Sequence, residues 1–330
     1  GVSEGNDGIN SGSGDDLLFA GQGADQVFDI GGTNVVIADL GKVVLNAGVL
    51  VRIDALTSTA PGNDYIQLGP GDDYVGAGGQ SDYLEGGNGN NAILGDDGFF
   101  VFSAGALTSI ETIANERDGS DSIFTGDGRD TILTGNGDNV VYAGGNMDDV
   151  YGGIGRDFLK GQAGDDFLVG NLGDDQLDGG TERDVLFGDL VIGERANYEF
   201  DTSDFVVSPD LAAIEAQYSS TSGTNFGRAA TGQDPLSSLL RFAIPALMPA
   251  ILLSLSAAGN AQDGNDSLVG GPDGDVLLAG LGSDALFGDD NTQDGLGGFL
   301  ESTTDGDDYL DAGLGNDMVV YGGGGHDIIH

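Results

Sequence analysis

The chain has 330 residues, with 55 Asp and Glu against 10 Lys and Arg, 62 Gly and no Cys or Trp, for a formal charge of −45 at pH 7. Recognition of nucleic acid or an anionic membrane by charge is excluded, because both need a concentrated basic patch. Disulfide and thiolate-metal scaffolds are excluded with the cysteines, which leaves carboxylates as the plentiful metal ligands and cations as the expected counter-ions.

Disorder is argued against by a hydrophobic content of 39%, placed singly and at regular spacing, as a disordered polar tract would not place it. The regularity is a period of nine residues. Its clearest run, 152 to 187, reads GGIGRDFLK, GQAGDDFLV, GNLGDDQLD, GGTERDVLF. Each unit is Gly, usually Gly, any, usually Gly, any, Asp, any, aliphatic, any. Units of this kind number 22 and fall in five blocks, 2–37, 59–98, 116–189, 261–289 and 303–330.

Position six supplies the candidate metal ligands. In the first block these are Asp7, Asp16 and Asp25, followed by Asn34; in the second, Asp64, Asp73 and Asp82, followed by Asn91. The long third block carries Asp121, Asp130, Asn139, Asp148, Asp157, Asp166, Asp175 and Asp184. The fourth has Asp266, Asp275 and Asp284, and the fifth Asp308, Asp317 and Asp327. Position eight is aliphatic throughout, from Ile9, Leu18 and Val27 to Val319 and Ile329. The first three blocks start 57 residues apart, and blocks close on Ala-Asp or Gly-Asp, at Asp39, Asp96, Asp189 and Asp289.

Between the blocks lie segments of another kind. Residues 38–58 and 99–115, with KVVLNAGVLVRI and GFFVFSAGALTSIETI, read as strands that continue the repeat array as metal-free coils or hairpins, with a partner site as the alternative. The insert 190–260 reads as partly helical: Ser208 and Pro209 form a helix start before LAAIEAQY. Its segment 235–259, PLSSLLRFAIPALMPAILLSLSAAG, is the most apolar of the chain. Arg241, Pro245 and Pro249 interrupt it, so it is expected to pack on the repeats or make an intermolecular contact rather than span a membrane. A shorter insert covers 290–302.

No G-x-S-x-G, H-E-x-x-H or phosphate-loop motif occurs, and the only histidines, His326 and His330, fall in the last unit. Adjacent carboxylates such as Asp15 with Asp16, or Asp165 with Asp166, recur with the repeat, which argues for a structural task rather than acid-base catalysis. The chain is not expected to be an enzyme.

One aliphatic residue in nine is too sparse for a helix stripe or an alternating strand. It suits a coil that turns sharply on glycine and then runs extended for about three residues with one side chain inward. Two units close a coil of 18 residues, and coils stacked about 4.8 Å apart pair their short strands in parallel. Position six then stands over position six two units on, Asp148 over Asp166 and Asp157 over Asp175. Stacked carboxylates repel and the core is thin, so a cation between coils is needed. Carboxylate and carbonyl oxygens in a flexible cage suit Ca²⁺ better than Mg²⁺, which demands a tight octahedron.

The unit G-G-x-G-x-D-x-aliphatic-x resembles the RTX, or hemolysin-type, calcium-binding repeat, and does so over more than half of the chain. That resemblance implies an all-β fold, a right-handed parallel β-roll or β-solenoid. Ca²⁺ would sit in the turns between coils, held by the position-six aspartates and the glycine-turn carbonyls, about a dozen ions or more. It also implies type I secretion without a cleaved N-terminal signal, and folding outside the cell. The string NVVIADLG at 34–41 further resembles cassettes of large bacterial surface proteins. Asn34, Asn91 and Asn139 keep an oxygen but lose a charge, which predicts weaker sites or coil ends. The function expected is an extracellular calcium-binding structural or surface-layer protein, which folds and assembles with copies of itself or other surface components. The alternative is the C-terminal calcium-binding region of a secreted enzyme, toxin or adhesin whose active part lies outside this chain.

Overall fold

The computed structural model describes residues 5–113, 117–188, 228–229, 265–271, 275–279, 281–288, 308–311, 314–315, 319–321 and 328–329. Among these residues there is no helix. Short strands alternate between two parallel sheets of 11 strands each. The first sheet runs from Gly8–Ser13 through Phe158–Ala163 to Val319–Tyr321, and the second from Leu17–Phe19 through Phe167–Leu172 to Ile328–Ile329. The chain is therefore a parallel β-roll, one coil contributing one strand to each sheet.

The nine-residue pattern accounts for each strand. After the aspartate the backbone extends for three residues, and only the middle one points inward, as with Phe158 outward, Leu159 inward and Lys160 outward. Leu159 pairs in register with Val141 and Leu177, so the aliphatic position forms an unbroken row. From Val27 to Leu310 these side chains make one buried cluster between the sheets, widened by Ala20, Leu68, Ala77 and Ala143 from the turns. Each buried aliphatic contributes about 1.5–3 kcal/mol, and a coil has two.

The five blocks stack as one roll. Neighbouring coils lie 18 residues apart within a block, yet Val27 pairs with Ile66, Leu84 with Ile123, Leu177 with Leu268 and Leu277 with Leu310 across the inserts in the same register. One unit departs from its sequence register. Position eight of that unit is Val319 by spacing, but Val320 pairs with Leu286 and packs against the row, while Leu314 and Gly315 stay aligned with Leu281 and Gly282. The unit is ten residues long, and its extra residue shifts the register by one.

Within segments 38–58 and 99–113 the chain forms hairpins, the second of the two forms expected. Leu40–Asn46 pairs with Val49–Leu56, and Gly98–Ser103 with Ala106–Thr112. Each turns on an Ala-Gly pair with both residues at positive φ, Ala47 at 52° with Gly48 at 83°, and Ala104 at 52° with Gly105 at 85°, the handedness that matches strand twist in two-residue hairpins. The two hairpins then pair with each other, Val49–Leu56 against Gly98–Ser103, and Arg228–Ala229 adds to the edge. The resulting antiparallel sheet of five strands packs Ile53, Phe100, Phe102 and Ile110 onto Ile37, Ala92, Leu94 and Leu133 of the second parallel sheet.

The outer face of the first sheet carries a different feature. Phe28, Tyr65, Tyr83, Phe124, Tyr142 and Phe158 form a half-buried ladder with successive ring centroids 5.1–5.9 Å apart. Apart from Arg228–Ala229, the insert 190–260 lies outside the described residues, and so do its expected helix, its apolar segment and residues 290–302. No helix among the described residues is long and apolar enough to cross a membrane.

Candidate metal centre

Position six is placed by the turn before it and the strand after it. Glycine at position four is required by conformation and space together: Gly155 has φ 152°, and a β-carbon there would collide with the Gly137 carbonyl of the coil below. Glycine at position one has ordinary angles, and its reason is the site itself. A β-carbon on Gly170 would strike the Asp175 carboxylate and stand 2.8 Å from the Gly188 carbonyl oxygen. The aspartate therefore looks into a space that only a glycine turn leaves open.

Two columns result, one at each turn edge of the roll. In the first, the backbone N–H of each position-six residue donates to Oδ1 of the next, from Asp7 through Asp25, Asp64, Asp82, Asp121, Asn139, Asp157, Asp175 and Asp266 to Asp284, at 2.6–2.9 Å. The second runs likewise through Asp16, Asn34, Asp73, Asn91, Asp130, Asp148, Asp166, Asp184, Asp275 and Asp308, at 2.7–3.1 Å. Among the described residues the links continue across the block boundaries, as from Asp25 to Asp64, Asp82 to Asp121, Asp175 to Asp266 and Asp275 to Asp308. Of the position-six aspartates, Asp317 and Asp327 lie outside the described residues.

The second carboxylate oxygen is the telling one. Oδ2 of Asp25, Asp64, Asp82, Asp121, Asp175 and Asp266 is buried and receives no hydrogen bond. A buried ionised oxygen without a donor or counter-charge is costly, and the cost is visible in the proton affinities. Burial pushes Asp64 up to about 8 and Asp121 to about 8. Burial and then the charge of Asp121 push Asp82 up to about 11. In the middle of the long block, burial and the neighbouring carboxylates raise Asp148 to about 10 and Asp157 well above the ordinary carboxylate range. Either protons or cations must enter such columns at neutral pH.

The donor set fits calcium: hard oxygens, one position-six side chain per coil in each column, and carbonyls of a flexible glycine turn. Among the described residues no group of three acidic or histidine side chains converges as a preformed metal cluster.

Two further aspartates support the columns where the hairpins leave. Asp39 is buried and its Oδ2 accepts the Gly79 N–H at 3.1 Å, and Asp96 Oδ2 accepts the Asn136 N–H at 2.9 Å, each from 40 residues on. Asp96 Oδ1 also takes the Gly119 N–H at 3.1 Å. A coil turn would offer carbonyls here, and the side chain replaces them where the hairpin has led the chain away. Burial and the charge of Asp97 raise Asp39 to about 7. The sequence signal was the Ala-Asp or Gly-Asp at block ends; Asp189 and Asp289 lie outside the described residues.

A family model described as the RTX calcium-binding nonapeptide repeat matches residues 2–28, 59–84, 77–99, 117–150, 151–186, 260–291 and 302–330. No curated protein matches the chain. With the matched segments carrying both the glycine turns and the aspartate columns over more than half of its length, the chain belongs to the RTX family of calcium-binding nonapeptide repeats.

Proposed function

We propose that this chain is a calcium-folded structural module of a secreted protein, serving outside the cell or on its surface. The observation that carries the reading is the pair of stacked position-six columns, in which Oδ2 of Asp25, Asp64, Asp82, Asp121, Asp175 and Asp266 is buried and receives no hydrogen bond. On this reading the position-six aspartates and the turn carbonyls hold Ca²⁺ between successive coils, Asp317 and Asp327 included. RTX repeats occur in secreted bacterial proteins, where calcium is plentiful, and the family is structural and calcium-binding rather than catalytic. Export before folding suits a chain whose folding waits for its metal.

Association with further copies or other surface components is the second part of the proposal. It is supported by apolar side chains left open beside the roll, with Leu17 52% and Ile30 69% exposed. Calcium binding lowers the self-repulsion that would keep such copies apart. The deciding experiment is circular dichroism and small-angle scattering of the full chain in excess chelator and then in millimolar Ca²⁺ or Mg²⁺. Compaction with gain of β-structure is expected in calcium, and poorly in magnesium. Full β-structure in chelator would falsify the metal-scaffold reading. Sedimentation in calcium tests association, and a monodisperse monomer at high concentration removes that part alone.

A further inference from the structure

Asn34, Asn91 and Asn139 depart from the aspartate rungs in the same way. Each Oδ1 keeps its place in the column and accepts a backbone N–H, from Asp16 at 3.0 Å, Asp73 at 3.1 Å and Asp121 at 2.8 Å. That donor fixes the amide orientation, and Nδ2 is turned onto the glycine turn. It donates to the carbonyl two residues earlier, Gly32 at 3.0 Å, Gly89 at 3.1 Å and Gly137 at 3.0 Å. A second acceptor completes each set: Asp29 Oδ1 at 3.2 Å, the Gly87 carbonyl at 3.5 Å and Thr134 Oγ1 at 2.9 Å. All three side chains are buried.

In the aspartate rungs an oxygen stands where this nitrogen stands. Oxygen facing carbonyl oxygen needs a positive charge between them; an amide brings its own positive end and needs none. We infer that Asn34, Asn91 and Asn139 are metal-free rungs, in which the amide N–H takes the place of calcium on the turn carbonyls. Each Asn thus subtracts a site rather than weakening one, and fastens its turn before any calcium binds. The three fall in alternate coils, since Asn34 shares a coil with Asp25, Asn91 with Asp82 and Asn139 with Asp148. The long stretch 157–184 has none.

This inference rests on the calcium reading, and the test separates the two. Bound calcium per chain is counted by equilibrium dialysis, and urea unfolding is followed in excess chelator, for the full chain and for Asn139→Asp, Asn91→Asp and the reverse change Asp175→Asn. Each Asn→Asp variant is expected to bind at least one more Ca²⁺ and to unfold at lower urea in chelator. Asp175→Asn is expected to bind at least one fewer and to unfold at higher urea in chelator. An unchanged or lower count in both Asn→Asp variants, with the parent chain binding calcium, overturns the inference and leaves the calcium reading standing. A parent chain that binds no calcium overturns the calcium reading. The chelator arm then still decides on the amide, since equal unfolding of all four proteins removes its role as a fastener.

Discussion

The roll from residue 5 to about 145 and its continuation from 149 to 188 share one period, one register and one row of inward aliphatics, but they are fastened differently. The first stretch carries the hairpin sheet on one face and Asn34, Asn91 and Asn139 in its columns. The second has only aspartate at position six, at Asp157, Asp166, Asp175 and Asp184. The same coil can thus be closed by neutral hydrogen bonds and apolar packing, or by charge that requires a cation. Stability need not be uniform along a solenoid whose coils touch only their neighbours.

Removing calcium should give the largest effect. In excess chelator, hydrogen exchange read by mass spectrometry is expected to show amides of 157–188 exchanging far faster than those of 49–56 and 98–103, with both protected in millimolar calcium. Equal exchange of the two stretches in chelator would dissolve the contrast. Next in size is Phe100→Ala, which empties a fully buried site under the hairpin sheet and should cost about 3–5 kcal/mol. The loss should appear in the first stretch alone, with the calcium count unchanged; a lower count would mean that the sheet shapes the sites.

Asp166→Ala and Asn139→Ala invert their ranking between the two media. In calcium the aspartate change should cost more, since on the proposed reading it removes a ligand from the column that links Asp148 to Asp184. In chelator it should cost little, whereas Asn139→Ala removes the amide on which the Asp121 N–H and the Gly137 carbonyl depend, at about 1–3 kcal/mol. Melting curves of both variants in both media give the comparison, and one fixed ranking would refute it.

Acidity should act on the metal-free chain in the opposite sense from most acid denaturation. The columns hold protons more tightly when folded, with Asp175 and Asp130 raised to about 7 and Asp64 to about 8, mainly by burial. Stability from these groups is full below the unfolded value near 4 and is lost as pH rises through about 7 to 8. In chelator, β-structure should therefore increase as pH is lowered from 8 toward 4, while calcium affinity falls over the same range. A chelated chain equally unstructured at pH 8 and pH 4.5 would contradict this. The smallest change expected is Tyr65→Leu in the aromatic ladder, about 0.5–1.5 kcal/mol from lost ring contacts, with no shift in calcium binding.

Much of this architecture was legible in the residues because it repeats. Glycine spacing fixed where the chain turns, and the single aliphatic fixed which residue faces in, so Asp148 over Asp166 follows from counting 18 residues. What escaped is what does not repeat. The pairing of Val49–Leu56 with Gly98–Ser103 joins two inserts through side-chain burial, and neither segment alone signals it. In the unit with two adjacent valines the spacing points to Val319, whereas the register, with Leu314 opposite Leu281 and Val320 opposite Leu286, is one residue further on. At Asn139 the oxygen was foreseeable as an acceptor, but the task of its nitrogen depends on where the Gly137 carbonyl points.

Column links keep their length while the chain between the two partners changes greatly. Asp157 to Asp175 spans 18 residues at 2.8 Å, Asp25 to Asp64 spans 39 at 2.6 Å, Asp275 to Asp308 spans 33 at 3.0 Å, and Asp175 to Asp266 spans 91 at 2.9 Å. The turns at which inserts depart are therefore natural grafting points, since closing a longer loop adds cost only with the logarithm of its length. Foreign segments whose ends lie close together could be carried there at fixed intervals along the roll axis, as cargo on a ruled rail.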